Sequence, residues 1–99
     1  MKTKYTVITG ASSGIGKAVA LKFAERNKNL ILIARRKNLL EDLKSQILKK
    51  NPNLDILVID FDLTDVGKIP ELYSKLNNYH IETLINNAGF GMYGDVKEQ

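Results

Sequence analysis

Apolar residues in this chain follow two alternating patterns: dense short runs, and stripes recurring every three or four positions. The dense runs, rich in β-branched and aromatic residues, predict strands, and the stripes predict helices. Residues 5 to 9, YTVIT, form the first predicted strand. Beyond a cluster of glycines, Ile15, Val19 and Phe23 stand four apart with Ala18 beside them, which predicts a helix with those residues on one face. That helix stops in ERNKN, where Asn27 and Asn29 supply turn chemistry. LILIA, residues 30 to 34, is apolar throughout, the pattern of a parallel strand covered on both faces. Leu39, Leu40, Leu43, Ile47 and Leu48 make a second helical stripe, ended by NPN at 51 to 53. LDILVIDF, residues 54 to 61, predicts a third strand. Ile69, Leu72, Tyr73 and Leu76 predict a third helix, in which Pro70 is tolerated only in the first turn. ETLIN, residues 82 to 86, predicts a fourth and shorter strand.

The order is therefore βαβαβαβ, with no internal repeat, linker or low-complexity segment, and the 99 residues suffice for one small domain. Units of this length imply an α/β fold of parallel strands joined by right-handed crossovers, with helices on both faces. By analogy with the doubly wound, Rossmann-type sheet, the strand order is 3-2-1-4. That order puts a topological switch point between the first and fourth strands, and ligands bind there beyond the carboxyl ends of the strands.

Composition narrows the chemistry. With no cysteine, the chain has no disulfide, thiol catalysis or thiolate metal site. No apolar run approaches the roughly 20 residues that cross a bilayer, and no signal-peptide pattern opens the chain. Both features favour a cytoplasmic protein. The net charge of +4 suits a phosphorylated ligand or nucleic acid, although most of the lysines read as a solvated surface. A basic, non-catalytic module binding nucleic acid or an acidic partner is the alternative function. Its support is the charge and ARRK at 34 to 37, but the aromatics are not interleaved as base stacking requires. The lone His80 precedes the fourth predicted strand and reads as a surface residue, not a metal ligand.

The strongest chemical signal is TVITGASSGIG, residues 6 to 16, at a strand-to-helix junction. Gly10 can supply a tight turn without a Cβ, Gly14 can let the backbone approach a diphosphate, and Gly16 can let the helix press on the sheet. Ser12 and Ser13 add hydroxyl donors at the rim. The helix that follows begins with unpaired N–H groups and the positive end of its dipole.

Thr9-Gly10-Ala11-Ser12-Ser13-Gly14-Ile15-Gly16 resembles the T-G-x-x-x-G-x-G cofactor fingerprint of the classical short-chain dehydrogenases and reductases. Asp62-Leu63 after the third strand and Asn86-Asn87-Ala88-Gly89 after the fourth are similar to two further motifs of that family, in its order. The resemblance covers the whole chain but only the N-terminal part of the family. It implies a nicotinamide dinucleotide held by Gly10, Ala11, Ser12, Ser13, Gly14, Ile15 and Gly16 around the diphosphate. It also implies Asp62 on the adenine amino group, the Leu63 backbone on the ring, Asn87 at the ribose, and Ala88 and Gly89 admitting it closely. The second strand ends at Ala34, where NAD-binding members carry an acid. Here Arg35 and Arg36 follow instead, so NADP is favoured over NAD, with Arg35 the better candidate for its 2′-phosphate.

The same resemblance implies hydride transfer between NADP(H) and a carbonyl or alcohol, using a Ser and a Y-x-x-x-K pair well beyond the fourth strand. Tyr93 and Lys97 match that spacing, but they follow Gly89 directly in a glycine-containing segment that reads as loop, whereas the pair needs a helix face. No catalytic residue is assigned, and the 99-residue chain alone is expected to be catalytically silent. Its fourth strand is expected to present an edge through which the chain self-associates.

Overall fold

A computed structural model describes residues 3–12 and 14–87. Its sheet contains β1 (Lys4–Thr9), β2 (Asn29–Ala34), β3 (Ile56–Asp60) and β4 (His80–Asn86), all parallel, in the order β3-β2-β1-β4. The crossovers are α1 (Gly14–Glu25), α2 (Lys37–Lys50) and α3 (Ile69–Leu76), the last preceded by a 3₁₀ turn at Val66–Lys68. This is the expected doubly wound arrangement. β3 is shorter than its apolar run because Leu54 belongs to the preceding turn, its amide donating to the Asn51 carbonyl at 3.2 Å. β4 starts two residues earlier than ETLIN suggests, so His80 is an exposed strand residue and not part of a loop.

Strand alternation divides the core in two. Register pairs Val7 with Ile31 and Ile8 with Leu32, so neighbouring strands send side chains to the same face in step. Ile8, Leu30, Leu32 and Ile56 meet Ala20 and Ala24 of α1 and Leu40, Leu43 and Ile47 of α2. On the opposite face, Tyr5, Val7, Ile31 and Ile33 meet Leu72 and Leu76 of α3. Residues 30–33 are fully buried, as a strand covered on both faces requires.

The inward face of α1 differs from the expected stripe. Gly16, Ala20 and Ala24 point into the core, whereas Ile15 is 75% exposed, Ala18 is exposed, and Val19 and Phe23 are half-buried. The reason is distance. A Cβ on Gly16 would lie 2.0 Å from the carbonyl oxygen of Gly10, so only small residues fit where the helix closes on the end of β1. The larger apolar side chains are displaced to the flanks. α1 ends at Glu25 and the chain turns away at Asn27, which adopts φ 63°; the Asn27 and Lys28 amides donate back to the carbonyls of Ala24 (2.9 Å) and Phe23 (3.1 Å). Asn29 is no turn residue. It opens β2, its side-chain oxygen accepts from the Asp55 amide at 2.8 Å, and its amide group reaches the Lys4 carbonyl at 3.5 Å.

The amino-terminal end of the sheet is closed by the Tyr5 hydroxyl donating to Asp55, with Tyr79 edge-on to the Tyr5 ring. The bond to Asp55, reinforced by burial, pushes the Tyr5 phenol up to about 12. Among the described residues, no helix is long and apolar enough to cross a membrane.

Candidate cofactor site

At the other end of the sheet, the carboxyl ends of β1, β2 and β3 open onto a cleft of about 560 Å³. Gly10 and Ser12 line it from the β1–α1 turn, and Ala34, Arg35, Arg36 and Leu39 from the β2–α2 connection. Phe61, Asp62, Leu63 and Thr64 close it from the turn after β3. Parallel strands place all three connections at one end, so residues some fifty positions apart share a wall.

Gly10 has φ 63° and Gly14 φ 41°, both in the left-handed region that a Cβ disfavours. A Cβ built on Gly14 meets nothing within 4 Å, so its face toward solvent is open for close approach of a ligand to the backbone. Ala11 is different: it is fully buried, and its amide already donates to the Ile33 carbonyl at 3.2 Å. That amide ties the turn to β2, and the first turn of α1 follows, whose amides precede the helix's own i−4 bonds. Gly14, Ile15 and Gly16 form that first turn.

The start of α2 is electrostatically unusual. Arg36 occupies the N-cap in an extended conformation with no side-chain capping bond, and the first turn contains no acid. Arg35, Arg36 and Lys37 instead stand in sequence at the positive end of the helix dipole. All three are exposed, and among the described residues neither arginine is within salt-bridge distance of a carboxylate.

Across the cleft, one oxygen of Asp62 accepts from the Thr64 amide at 2.9 Å and from the Thr64 hydroxyl at 2.6 Å. These bonds, aided by the charge of Arg35, hold the Asp62 carboxyl below the usual carboxylate range. Asp62 thus caps a tight turn, whose return is the Asp65 amide donating to the Asp62 carbonyl at 3.0 Å. It does not cap a helix: the N-cap of the 3₁₀ turn is Asp65. Leu63 sends its side chain into the core below the sheet, which leaves its backbone at the cleft wall.

Of the residues expected from sequence, Gly10, Ser12, Arg35, Asp62 and Leu63 come together in the cleft. Asn87 is exposed just past β4 and is not part of this wall. Its neighbour Asn86 accepts a hydrogen bond from the Thr9 hydroxyl at 2.8 Å, which joins the ends of β1 and β4. Ser13, Ala88, Gly89 and the Tyr93–Lys97 spacing lie outside the described residues. Leu39 and Phe61 enter the sequence reading only as parts of the second helical stripe and the third apolar run, and Thr64 not at all; their signal as site residues is position alone, each within a few residues of a strand's carboxyl end.

The family model for the short chain dehydrogenases matches residues 4–99. The chain belongs to that family. The short chain dehydrogenase fold is shared with solved relatives: a bulky-bulky ketone specific alcohol dehydrogenase from Comamonas testosteroni is 38% identical with a TM-score of 0.80, covering 100% of this chain and 40% of that one. A short-chain dehydrogenase from Sphingobium yanoikuyae, solved in complex with NADPH, is 34% identical with a TM-score of 0.79, covering 97% of this chain and 38% of that one. Among curated sequences, the very-long-chain 3-oxooacyl-coA reductase let-767 of Caenorhabditis briggsae is 37% identical over 95 residues, 93% of this chain. The chain spans about 30% of the length of that relative.

Proposed function

We propose that this chain is the NADP(H)-binding part of a short-chain oxidoreductase that moves hydride between NADP(H) and a carbonyl or alcohol. The observation that carries the cofactor choice is the row of cations at the uncapped start of α2, beside the cleft and with no acid at the end of β2. Three positive side chains at a helix N-terminus oppose the dipole, and an anion placed among them removes that conflict. A ribose 2′-phosphate is such an anion, and the Arg35 guanidinium offers it a planar fork of donors. The NADPH complex of the Sphingobium yanoikuyae relative supports the same reading.

The other residues fit a dinucleotide in an order along the cleft. The first turn of α1, with open space over Gly14 and Ser12 at the rim, receives the diphosphate. Asp62 and the Leu63 backbone receive the base, and Asn87, with Ala88 and Gly89 outside the described residues, is assigned to the ribose by the family resemblance. Bound nicotinamide supplies or accepts the hydride. This chain's residues bind and orient it, and the proton-transferring Ser, Tyr and Lys of the family have no assigned counterpart here, so the 99-residue polypeptide binds without turnover. We further infer that copies of it associate through the outer edge of β4.

Calorimetric titration of the 99-residue chain with NADPH and NADH tests the cofactor assignment. NADPH binds at least about tenfold tighter, the scale of one charge-assisted pair, and Arg35→Asp reverses the ratio. Equal affinities, or a ratio that survives the substitution, defeat the assignment to NADP.

A further inference from the structure

The turn after β3 contains an arrangement that the cofactor reading leaves unused. Both donors of Thr64, its amide at 2.9 Å and its hydroxyl at 2.6 Å, converge on the same oxygen of Asp62. Among the described residues, the second oxygen accepts no hydrogen bond. Asp62 and Thr64 both line the cleft. A partly exposed carboxylate normally samples several rotamers, and a ligand that needs one of them must overcome that freedom. Here two local donors have already selected an orientation. The hydroxyl bond is in the short range typical of a charged acceptor, so it is the stronger of the two restraints.

We propose that Thr64 is a positioning residue for base recognition: it ties one oxygen of Asp62 to the β3 turn and leaves the other as a fixed acceptor for the amino group of an adenine. The inference rests on the cofactor reading, which places a base at Asp62. An acceptor held in this way discriminates by chemistry. Adenine offers an N–H to it, whereas hypoxanthine offers a carbonyl oxygen at the same position, leaving two acceptors face to face. The Thr64 hydroxyl is therefore a determinant of base selectivity without touching the base.

The test compares NADP⁺ with its hypoxanthine counterpart by calorimetry, using the full chain and its Thr64→Val and Thr64→Ser variants. The unaltered chain prefers NADP⁺ by roughly tenfold, the scale of a hydrogen bond to a charged group. Thr64→Val keeps the amide bond and the side-chain shape but loses the hydroxyl, and the preference falls to about twofold, with the hypoxanthine dinucleotide bound as before. Thr64→Ser keeps both donors and restores the preference. The preference also depends on pH. The acceptor must be ionised, so selectivity is lost as pH falls through the Asp62 pKa, which the Thr64 bonds and the Arg35 charge lower. Arg36 across the cleft, and the Asp65–Lys68 pair on the same turn, are unchanged in the variants. Loss of selectivity therefore begins at higher pH in Thr64→Val.

Thr64→Val with the preference intact, or Thr64→Ser without it, overturns the inference while leaving the cofactor reading standing. Equal binding of the two dinucleotides by the unaltered chain overturns it as well. Failure to bind either one defeats the cofactor reading and this inference together.

Discussion

Gly14 and Gly16 stand two residues apart and are glycine for different reasons. At Gly16 the constraint is space, because a Cβ would sit 2.0 Å from the Gly10 carbonyl oxygen and 3.1 Å from the Ala11 Cα. Both neighbours are backbone, and Ala11 is anchored to β2, so neither yields cheaply. At Gly14 the surroundings are open, and the constraint is φ 41°. Gly16→Ala is accordingly expected to destabilise the chain by about 3 kcal/mol, the upper end of overpacking costs. Gly14→Ala is expected to cost only about 1 kcal/mol, the price of a left-handed alanine. Denaturant unfolding of the two variants checks the order, and equal losses would contradict the packing geometry at the end of β1. The expected binding consequences run the other way: the Gly14 substitution intrudes on the open side that the proposed diphosphate would approach, and weakens dinucleotide binding even where the fold survives.

At the scale of elements, α2 carries the clearest conflict between stability and binding. Its N-cap is Arg36 where a Ser, Asp or Asn would bond the first free amides, and no acid occupies its first turn. Arg36→Asp is expected to raise stability by about 1 kcal/mol through capping and removal of a charge opposed to the dipole. In a domain of this size that corresponds to a melting temperature about 4–8 °C higher. The same change weakens NADPH binding, because it places a carboxylate beside the proposed phosphate position. A thermal melt and a titration on one variant read both effects; a lower melting temperature would show that Arg36 is structural. The elements themselves were largely legible from sequence. Dense apolar runs marked β1 to β4, and the Leu40, Leu43, Ile47 stripe marked the inward face of α2 because large side chains fill the space there. α1 was misread at its face because periodicity weights bulk, and this helix packs through its smallest residues. The spacing Gly16, Ala20, Ala24 was the available signal. In the site, Arg35 was legible as a charge directly after β2 and Asp62 through its resemblance to the family's Asp-Leu motif, and both line the cleft. Thr64 was not, since its role depends on two hydrogen bonds to a side chain only two residues away.

For the molecule as a whole, the sheet is asymmetric. β1 and β2 lie between neighbours, whereas β4 is paired only to β1 among the described residues and forms one edge. No residue of β4 is fully buried, although Ile81 and Leu84 contact the core on one face and Ile85 on the other. An edge of this kind exposes a row of backbone donors and acceptors between half-covered apolar side chains, the template on which another strand adds. Its defences are sparse: Glu82 is the acid on the strand, and its charge is partly offset by Lys28 at 3.7 Å. The expected outcome is reversible association of the 99-residue chain, with the sedimentation coefficient rising from micromolar to millimolar concentration. Thr83→Lys adds a charge at a half-exposed position of that edge and shifts the association to higher concentration, with circular dichroism checking that the fold is kept. A single monomeric boundary across the whole range would mean that the edge is protected by a feature other than charge. Association unchanged by Thr83→Lys would place the contact elsewhere on the surface.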